Sequence, residues 1–158
     1  MVIDADGLNS IAKDSSILKE LKSEVVITPH PGEMGRILGI SNKDVQNNRI
    51  EIAKEFTKQN NVTTVLKGCR TIIATTDGSL FINPTGNSGL ATGGTGDVLT
   101  GMLVGLIAQG VKPDNAAVIG AYIHGLTGDM VAREKGEYSL IATDLMDKLP
   151  YIIKELTT

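Results

Sequence analysis

The run NPTGNSGLATGGTGD, residues 83–97, combines glycines and small hydroxyl residues with one acid, Asp97, and continues into an apolar stretch. Glycines let a backbone approach a phosphate closely and adopt positive φ. Free N–H groups at the start of a helix, together with the helix dipole, hold an anion. A carboxylate there repels a phosphate, but it is suited to accept the proton of an attacking hydroxyl. These residue types favour phosphoryl transfer, with Asp97 as the general base.

The same run has a simpler interpretation, in which Asp97 only stabilises the first turn of a helix. The segment GGTGD at 93–97 has no Lys-Ser/Thr pair after its glycines and is therefore not a P-loop. Its glycine spacing is also not that of a dinucleotide-binding fingerprint. The apolar helix behind the run, and the further motifs at strand ends, favour catalysis over capping.

Two of these further motifs follow predicted strands. Lys67-Gly68 closes an apolar strand, where a lysine can reach a nucleotide phosphate and a glycine lets the backbone approach a ligand. The alternative for this pair is an exposed lysine at a sheet edge. His30 and Glu33 flank a Pro-Gly turn and suit a polar substrate. Their alternative is a surface loop with Glu33 in the first turn of a helix.

A third group of polar residues lies at the front of the chain. Asp4, Asp6 and Asn9 have the chemistry to orient a substrate or a hydrated Mg²⁺, which takes few direct carboxylates. Alternatively, Asp6 simply caps the helix that follows it. The sequence leaves both interpretations open.

Two more chemically capable residue types are assigned no role in the reaction. His124 and Asp129 are five residues apart on an apolar helix, and metal ligands on one helix face need a spacing of three or four. We therefore interpret His124 as a packing residue and assign no residue as a metal ligand. Cys69 has Lys67 beside it but no paired histidine, which argues against nucleophilic catalysis.

The elements that must position these residues alternate along the chain. Short apolar strands are predicted at Met1–Ile3, Val25–Ile27, Val62–Leu66, Thr71–Thr75 and Leu80–Asn83, the last two forming a hairpin. Helices are predicted at Gly7–Lys13, Ile17–Lys22, Gly32–Leu38, Asn42–Gln59, Thr95–Gln109, Asn115–Lys135 and Thr143–Leu156. Thr95–Gln109 is apolar on nearly all sides, which predicts burial, and Thr143 is the predicted cap of the last helix. This alternation predicts an α/β fold with parallel strands, whose ligands bind at the carboxyl ends of the strands.

Composition excludes several classes of function. The chain has 158 residues, which fits one domain, and a net charge of −3, which argues against a nucleic-acid or anionic-membrane partner. Only 3% of the residues are aromatic, so a base-stacking platform is not expected. A lone cysteine excludes an internal disulfide and favours the cytoplasm. No apolar run is long enough to span a bilayer.

Five segments of the chain occur in a recognisable order: IDADGLN (3–9), ITPHPGEMGRILG (27–39), VLKGCRTII (65–73), NPTGNSGLATGGTGDVLTGMLVGLIAQG (83–110) and AAVIGAYIHGLTGD (116–129). Together they resemble the ADP/ATP-dependent NAD(P)H-hydrate dehydratases. The resemblance covers almost the whole chain and implies a ribokinase-like, mostly parallel sheet flanked by helices. It also implies phosphorylation of a hydrated nicotinamide ring by ADP or ATP with Mg²⁺, followed by elimination of phosphate. The alternatives are a ribokinase-like kinase of a sugar or vitamin alcohol, and a non-catalytic nucleotide-binding remnant.

The resemblance also assigns roles to residues of this chain. Asp97 contacts the hydrated substrate as the catalytic residue, and His30 contacts the hydrated dinucleotide. Gly96 and the segment Lys67, Gly68, Cys69, Arg70 and Thr71 line the nucleotide. By residue chemistry we add Glu33 and Asn9 to the substrate side, and Gly94 and Thr95 to the nucleotide side.

Members of that family carry a further stretch of comparable size before the DADGLN strand, which supplies strands and substrate-binding glycines. Residues 1–158 are accordingly expected to be the C-terminal part of a single ribokinase-like domain. An edge left open at Val2-Ile3 predicts that the chain forms a homo-oligomer or associates with an N-terminal half.

Overall fold

Five strands form one sheet in the order in which they occur along the chain. The structure, a computed structural model, describes residues 1–158. The strands are β1 (Val2–Ile3), β2 (Val26–Ile27), β3 (Thr63–Leu66), β4 (Ile72–Ala74) and β5 (Leu80–Ile82). β1, β2 and β3 are parallel, whereas β4 and β5 form the predicted antiparallel hairpin beside them, with Ile73 opposite Phe81. The carboxyl ends of the three parallel strands therefore meet at one edge of the sheet.

Eight helices connect and cover these strands. They are α1 (Asp6–Ile11), α2 (Ile17–Glu20), α3 (Pro31–Leu38), α4 (Asn42–Asn47), α5 (Arg49–Asn60), α6 (Thr95–Ala108), α7 (Pro113–Lys135) and α8 (Ala142–Thr157). Short 3₁₀ turns at Ser88–Ala91 and Glu137–Ser139 precede α6 and α8. Pro113 is the first residue of α7, where its missing N–H costs no helical hydrogen bond.

Alternate residues of the strands face two separate apolar layers. Ile27 and Leu66 pack with Phe56 and other residues of α1–α5 on one side of the sheet. Val26 and Val65 pack on the other side with Leu103 of α6 and with the small residues of α7. Because successive strand residues point to opposite faces, two-residue strands are long enough to join both layers.

Most helix ends lie within two residues of the predicted ones, and two further differences have a local cause. The helix predicted over Asn42–Gln59 is divided into α4 and α5 at Asn48, which has φ −131° and ψ 31°. The Asn48 side chain donates to the carbonyl of Asp44 at 3.1 Å, a local bond that competes with the helical pattern. The prediction that Thr143 caps the last helix is wrong. That role falls to Asp144, whose Oδ2 accepts from the amide of Ile141 at 2.8 Å.

The prediction that α6 is buried holds for one face only. Leu99 and Leu103 are buried, but Val104 is 49% exposed because no element of the chain covers that side of the helix. β1 is an edge strand with β2 as its single neighbour, and its Val2 and Ile3 are half-buried. None of the helices combines the length and the apolar character that crossing a membrane requires.

Candidate active site

The glycine run leads directly into the N-terminus of α6. Gly94 has φ +88° and serves as the N-cap, a conformation that a residue with a side chain rarely adopts. The Thr95 hydroxyl donates to the carbonyls of Leu90 at 2.7 Å and Thr92 at 2.8 Å, which fixes the turn from inside. The amides of Gly96 and Asp97 form no hydrogen bond within the chain. These two N–H groups lie at the positive end of a 14-residue helix, an arrangement that is suited to bind an anion.

Asp97 is the third residue of α6, and its side chain is exposed and forms no hydrogen bond or ion pair. A capping carboxylate accepts hydrogen bonds from the first amides of its own helix, and the N-terminus of α6 has no such side-chain cap. The geometry thus excludes capping by side-chain hydrogen bonds, while the position of Asp97 in the first turn keeps its charge near the helix dipole. A free carboxylate remains beside two free amides.

Behind this helix end, three charged side chains meet at the carboxyl ends of the parallel strands. The Lys67 ammonium after β3 lies 2.9 Å from Asp4 Oδ1 after β1, and 3.8 Å from Glu33 Oε2 in α3. The second oxygen of Asp4 accepts from the Thr100 hydroxyl of α6 at 2.8 Å. Burial raises the pKa of Asp4, but the hydrogen bond and charge of Lys67, with the Thr100 hydrogen bond, outweigh it and hold that pKa below its ordinary value. Lys67 is therefore no isolated edge lysine.

Gly96 joins this charged cluster to the helix N-terminus. A Cβ built on Gly96 would lie 3.5 Å from Lys67 Nζ and 3.9 Å from Asp4 Oδ2. The lysine and the glycine, 29 residues apart in the sequence, therefore lie side by side, as their shared position at strand and loop exits predicts. An anion held by the amides of α6 would have a cation within reach.

His30 and Glu33 form a reciprocal cap at the start of α3. His30 Nδ1 accepts from the amides of Gly32 at 3.0 Å and Glu33 at 3.3 Å, and the His30 amide donates to Glu33 Oε2 at 2.7 Å. Because Nδ1 accepts, the proton of the neutral ring is on Nε2. The histidine side chain is about half exposed, whereas Glu33 is buried against Lys67. His30 Nε2 lies 3.6 Å from Glu33 Oε1, so the half-exposed ring is fixed in orientation by Glu33 and by the first amides of α3.

The front group divides between two environments. Asp4 belongs to the Lys67 cluster, but the Asn9 side chain hydrogen-bonds to Arg36 and to Asp6, so none of its bonds reaches that cluster. Asp6 is the first residue of α1 and not its cap. The N-cap is Ala5, at φ +47°, and it makes no side-chain cap. The interpretation of Asp6 as a capping residue is therefore wrong.

The loop after β3 contains the other predicted nucleotide residues. Lys67 is anchored through its amide to the carbonyl of Pro29 at 2.8 Å, and Gly68, Cys69 and Arg70 are exposed. The Thr71 hydroxyl donates to the carbonyl of Gly68 at 3.1 Å, which closes the loop. Only Lys67 of this loop is shown beside the α6 N-terminus.

Two side chains of helix α7 hydrogen-bond to the backbone and side chains of the glycine run. The buried His124 ring contacts the carbonyl of Thr95 through Nε2 at 2.9 Å, as expected of a packing histidine. Because a carbonyl oxygen only accepts, Nε2 donates this hydrogen bond, and burial lowers the pKa of His124. Asp129 accepts from the amide of Gly86 and from the side chain of Asn87, both at 2.9 Å. Both residues hold the loop that positions Asp97.

Sequence reasoning missed two residues that shape the site. Thr100 holds Asp4 from one turn beyond Gly96, a helical spacing that identifies it only once Gly96 is known to face the cluster. Within the helix predicted at Asn42–Gln59, Arg49 has the same helical spacing as the apolar Val45 and Ile52, which predicts that it lies on their face. The structure instead directs its guanidinium toward the loop after β3. The sequence did contain one signal for this role: Arg49 is a charged residue at a position whose helical spacing is otherwise apolar.

At the carboxyl edge of the parallel strands, free amides of a helix N-terminus lie beside a lysine and an open carboxylate. This arrangement is typical of α/β proteins that bind phosphate groups. Residues 1–151 match the carbohydrate-kinase-type family described as NAD(P)H-hydrate dehydratase. The chain belongs to this NAD(P)H-hydrate dehydratase family, which confirms the resemblance seen in its motifs.

The relatives agree in sequence and in fold. A bifunctional NAD(P)H-hydrate repair enzyme Nnr of Moorella thermoacetica is 49% identical over 155 residues, 98% of this chain and 29% of that protein. The crystal structure of an ADP/ATP-dependent NAD(P)H-hydrate dehydratase from Bacillus subtilis, co-crystallised with ATP/Mg²⁺, superposes with a TM-score of 0.86 at 37% identity, over 98% of this chain and 54% of that one. A ribokinase-like superfamily protein from Enterococcus faecalis has a TM-score of 0.79 at 32% identity, over 97% of this chain and 52% of that one. The fold is therefore ribokinase-like, and the chain spans about half the length of these two structures.

Proposed function

We propose that this chain carries the catalytic carboxylate and part of the nucleotide site of an ADP- or ATP-dependent NAD(P)H-hydrate dehydratase. The observation that carries the proposal is the N-terminus of α6. Two free amides and the unpaired Asp97 carboxylate lie there beside Lys67, with 3.5 Å between its ammonium and the Cβ position of Gly96. Family membership supports the choice of reaction, because relatives of this chain are named for that activity. The chain covers 54% of the dehydratase structure from Bacillus subtilis to which it is similar.

In the proposed reaction, the hydroxyl of the hydrated nicotinamide ring attacks the terminal phosphorus of the nucleotide. Asp97 accepts the hydroxyl proton as the new O–P bond forms and the bond to the leaving nucleotide breaks. The amides of Gly96 and Asp97 stabilise the charge on the transferred group, where most of the catalysis of phosphoryl transfer resides. Phosphate is a far better leaving group than hydroxide. Its departure, with loss of a proton from the adjacent ring carbon, restores the reduced nicotinamide.

The residues divide between two ligands. Lys67 and the loop Gly68–Thr71, together with Gly94–Gly96, would bind the nucleotide, and the half-exposed ring of His30 would contact the hydrated dinucleotide. Thr95 contributes its backbone, since its side chain is bonded to Leu90 and Thr92. Glu33 and Asn9 act behind the substrate surface by holding His30 and Arg36.

Magnesium fits this site as part of the nucleotide substrate. Asp4 and Glu33 are both paired with Lys67, and no group of three potential ligand side chains is present. A hydrated Mg²⁺ bound through the nucleotide phosphates needs few protein carboxylates. In that form it would offset the charge of the phosphates while Lys67 approaches them.

The test is turnover of hydrated NADH and hydrated NADPH by the complete gene product that contains this chain, with ADP and ATP in separate reactions. We expect the absorbance of the reduced nicotinamide to return, with one phosphate released per dinucleotide. A phosphorylated sugar or vitamin alcohol without reduced nicotinamide would instead establish a kinase. Nucleotide binding without any turnover by the complete gene product would leave a binding protein.

A further inference from the structure

The backbone carbonyls of the loop after β3 converge on one side chain, Arg49. Its Nη1 donates to the carbonyl of Cys69 at 2.6 Å, and its Nη2 donates to those of Leu66 at 3.0 Å and Arg70 at 3.3 Å. Arg49 is the first residue of α5 and is half-buried beneath the loop. Its Nε is buried without a hydrogen-bond partner. Burial of the guanidinium therefore has a desolvation cost, while its two terminal nitrogens donate to three carbonyls.

The opposite side of the same loop is left unpaired. The amides of Gly68, Cys69 and Arg70 form no hydrogen bond within the chain. Gly68 has φ +144° and Arg70 has φ +57°, so the backbone leaves the strand conformation at both residues. Consecutive free N–H groups in a turn are the feature from which anion-binding amide arrays are built.

Gly68 is required by the arginine as well as by its own backbone angle. A Cβ on Gly68 would lie 3.0 Å from Arg49 Nη2 and 3.2 Å from Cζ. The guanidinium thus packs against the face of the loop where a side chain would stand. The sequence suggested that this glycine admits a ligand, whereas the group that occupies its Cβ side is Arg49.

We infer that Arg49 is a positioning residue for the nucleotide, one that holds the carbonyls of Leu66, Cys69 and Arg70 away from the ligand and presents amides 68–70 to it. The inference rests on the proposed nucleotide site. Arg49 touches no ligand itself. Its planar fork of donors matches three carbonyls, a pattern that the single ammonium of a lysine cannot reproduce. Releasing the carbonyls would direct negative dipoles toward phosphates and add the cost of ordering the loop on binding.

The experiment compares Arg49→Met and Arg49→Lys with a matched control, Arg133→Met. Arg133 is an exposed arginine in the last turn of α7 that forms no hydrogen bond or ion pair. In the complete gene product, Arg49→Met should raise the Kd and KM for ATP about tenfold, while kcat at saturating ATP changes less than about threefold. Arg49→Lys should recover part of the affinity, and Arg133→Met should match the wild type.

A second readout tests the loop without any nucleotide. Cys69 is exposed and is the single cysteine of the 158-residue chain, so a nitroxide attached to it reports the motion of this loop alone. Arg49→Met should narrow the lines of the electron paramagnetic resonance spectrum of the label, because the loop moves more freely. Arg49→Lys should narrow them less.

The outcomes separate the two proposals. A wild-type protein that binds no ATP contradicts the proposed function, and the nitroxide spectra then decide the role of Arg49 in holding the loop. Unchanged ATP affinity in a folded Arg49→Met or Arg49→Lys variant overturns the inference, even if the label becomes more mobile. Equal loss of kcat and affinity would also overturn it, because it would place Arg49 in the chemical step.

Discussion

Replacing Asp97 by Asn separates the catalytic role of this residue from a role in helix stability. The two side chains have nearly the same shape, but the amide cannot accept the hydroxyl proton. The Asp97 carboxylate forms no hydrogen bond or ion pair that the substitution would break. The free amides of Gly96 and Asp97 also remain, so nucleotide binding should persist.

The expected magnitudes differ enough to be decisive. Loss of a general base lowers kcat by about 10²–10⁴-fold, which corresponds to about 3–5 kcal/mol in activation free energy. Loss of one charge near an exposed helix N-terminus changes the free energy of unfolding by about 0.3–1 kcal/mol. In a chain of this length that lowers Tm by at most about 4 °C. Initial rates with hydrated NADH, the ATP Kd from calorimetry and the Tm are the three measurements.

Asp144→Asn is the matched control, because Asp144 is also the third residue of its helix. Its carboxylate caps the amide of Ile141 at 2.8 Å and pairs with Lys135 at 2.7 Å. The control should lose about 0.5–1 kcal/mol of stability and keep its full rate. A wild-type kcat in Asp97→Asn, accompanied by a loss of stability like that of the control, would refute the assignment of Asp97 as the base.

Gly96→Ala should leave the stability unchanged, because the new Cβ would lie 3.5 Å from Lys67 Nζ, an ordinary contact distance. It should raise the KM for ATP about tenfold, because the methyl group would occupy space that the phosphate needs. Gly101→Ala, with nothing within 4 Å, is the control, and an unchanged KM in Gly96→Ala would contradict this account. Lys67→Met should lower the free energy of unfolding, measured in urea, by about 1.5–3 kcal/mol because it leaves Asp4 without its cation. Adding Asp4→Asn should restore part of that free energy. Equal losses in the single and double variants would contradict the Lys67–Asp4 ion pair. Because burial lowers the pKa of His124, the unfolded state binds the extra proton, so the free energy of unfolding should decrease as the pH falls below about 6.5. His124→Asn should lose that part of the slope, and an unaltered slope would show that another group causes it. Sedimentation of the 158-residue chain should show self-association through the open edge of β1 and the uncovered face of α6, whereas a stable monomer would contradict it.

Much of the fold was predictable because local patterns agree with it. The hairpin strands and the single short strands before the His30 and Lys67 loops all follow from apolar runs bounded by turn residues. The division at Asn48 was not predictable from periodicity, because the apolar spacing continues across it while a side-chain hydrogen bond interrupts the backbone. The partial exposure of α6 was missed because hydrophobic residues indicate which surfaces avoid water, not which neighbours are present to cover them.

The sequence by itself determined the family, the placement of the glycine run before a helix, and Asp97 as the residue to test, because these depend on residue type and local spacing. The tertiary structure decided which distant groups meet. It joined Asp4, Lys67 and Thr100, from three separate elements, into one hydrogen-bonded cluster. It also directed Arg49 to carbonyls about 20 residues away and left the amides beside them unpaired. Distances across a sheet edge are fixed by strand order and packing, and neither is encoded in the spacing of any one segment.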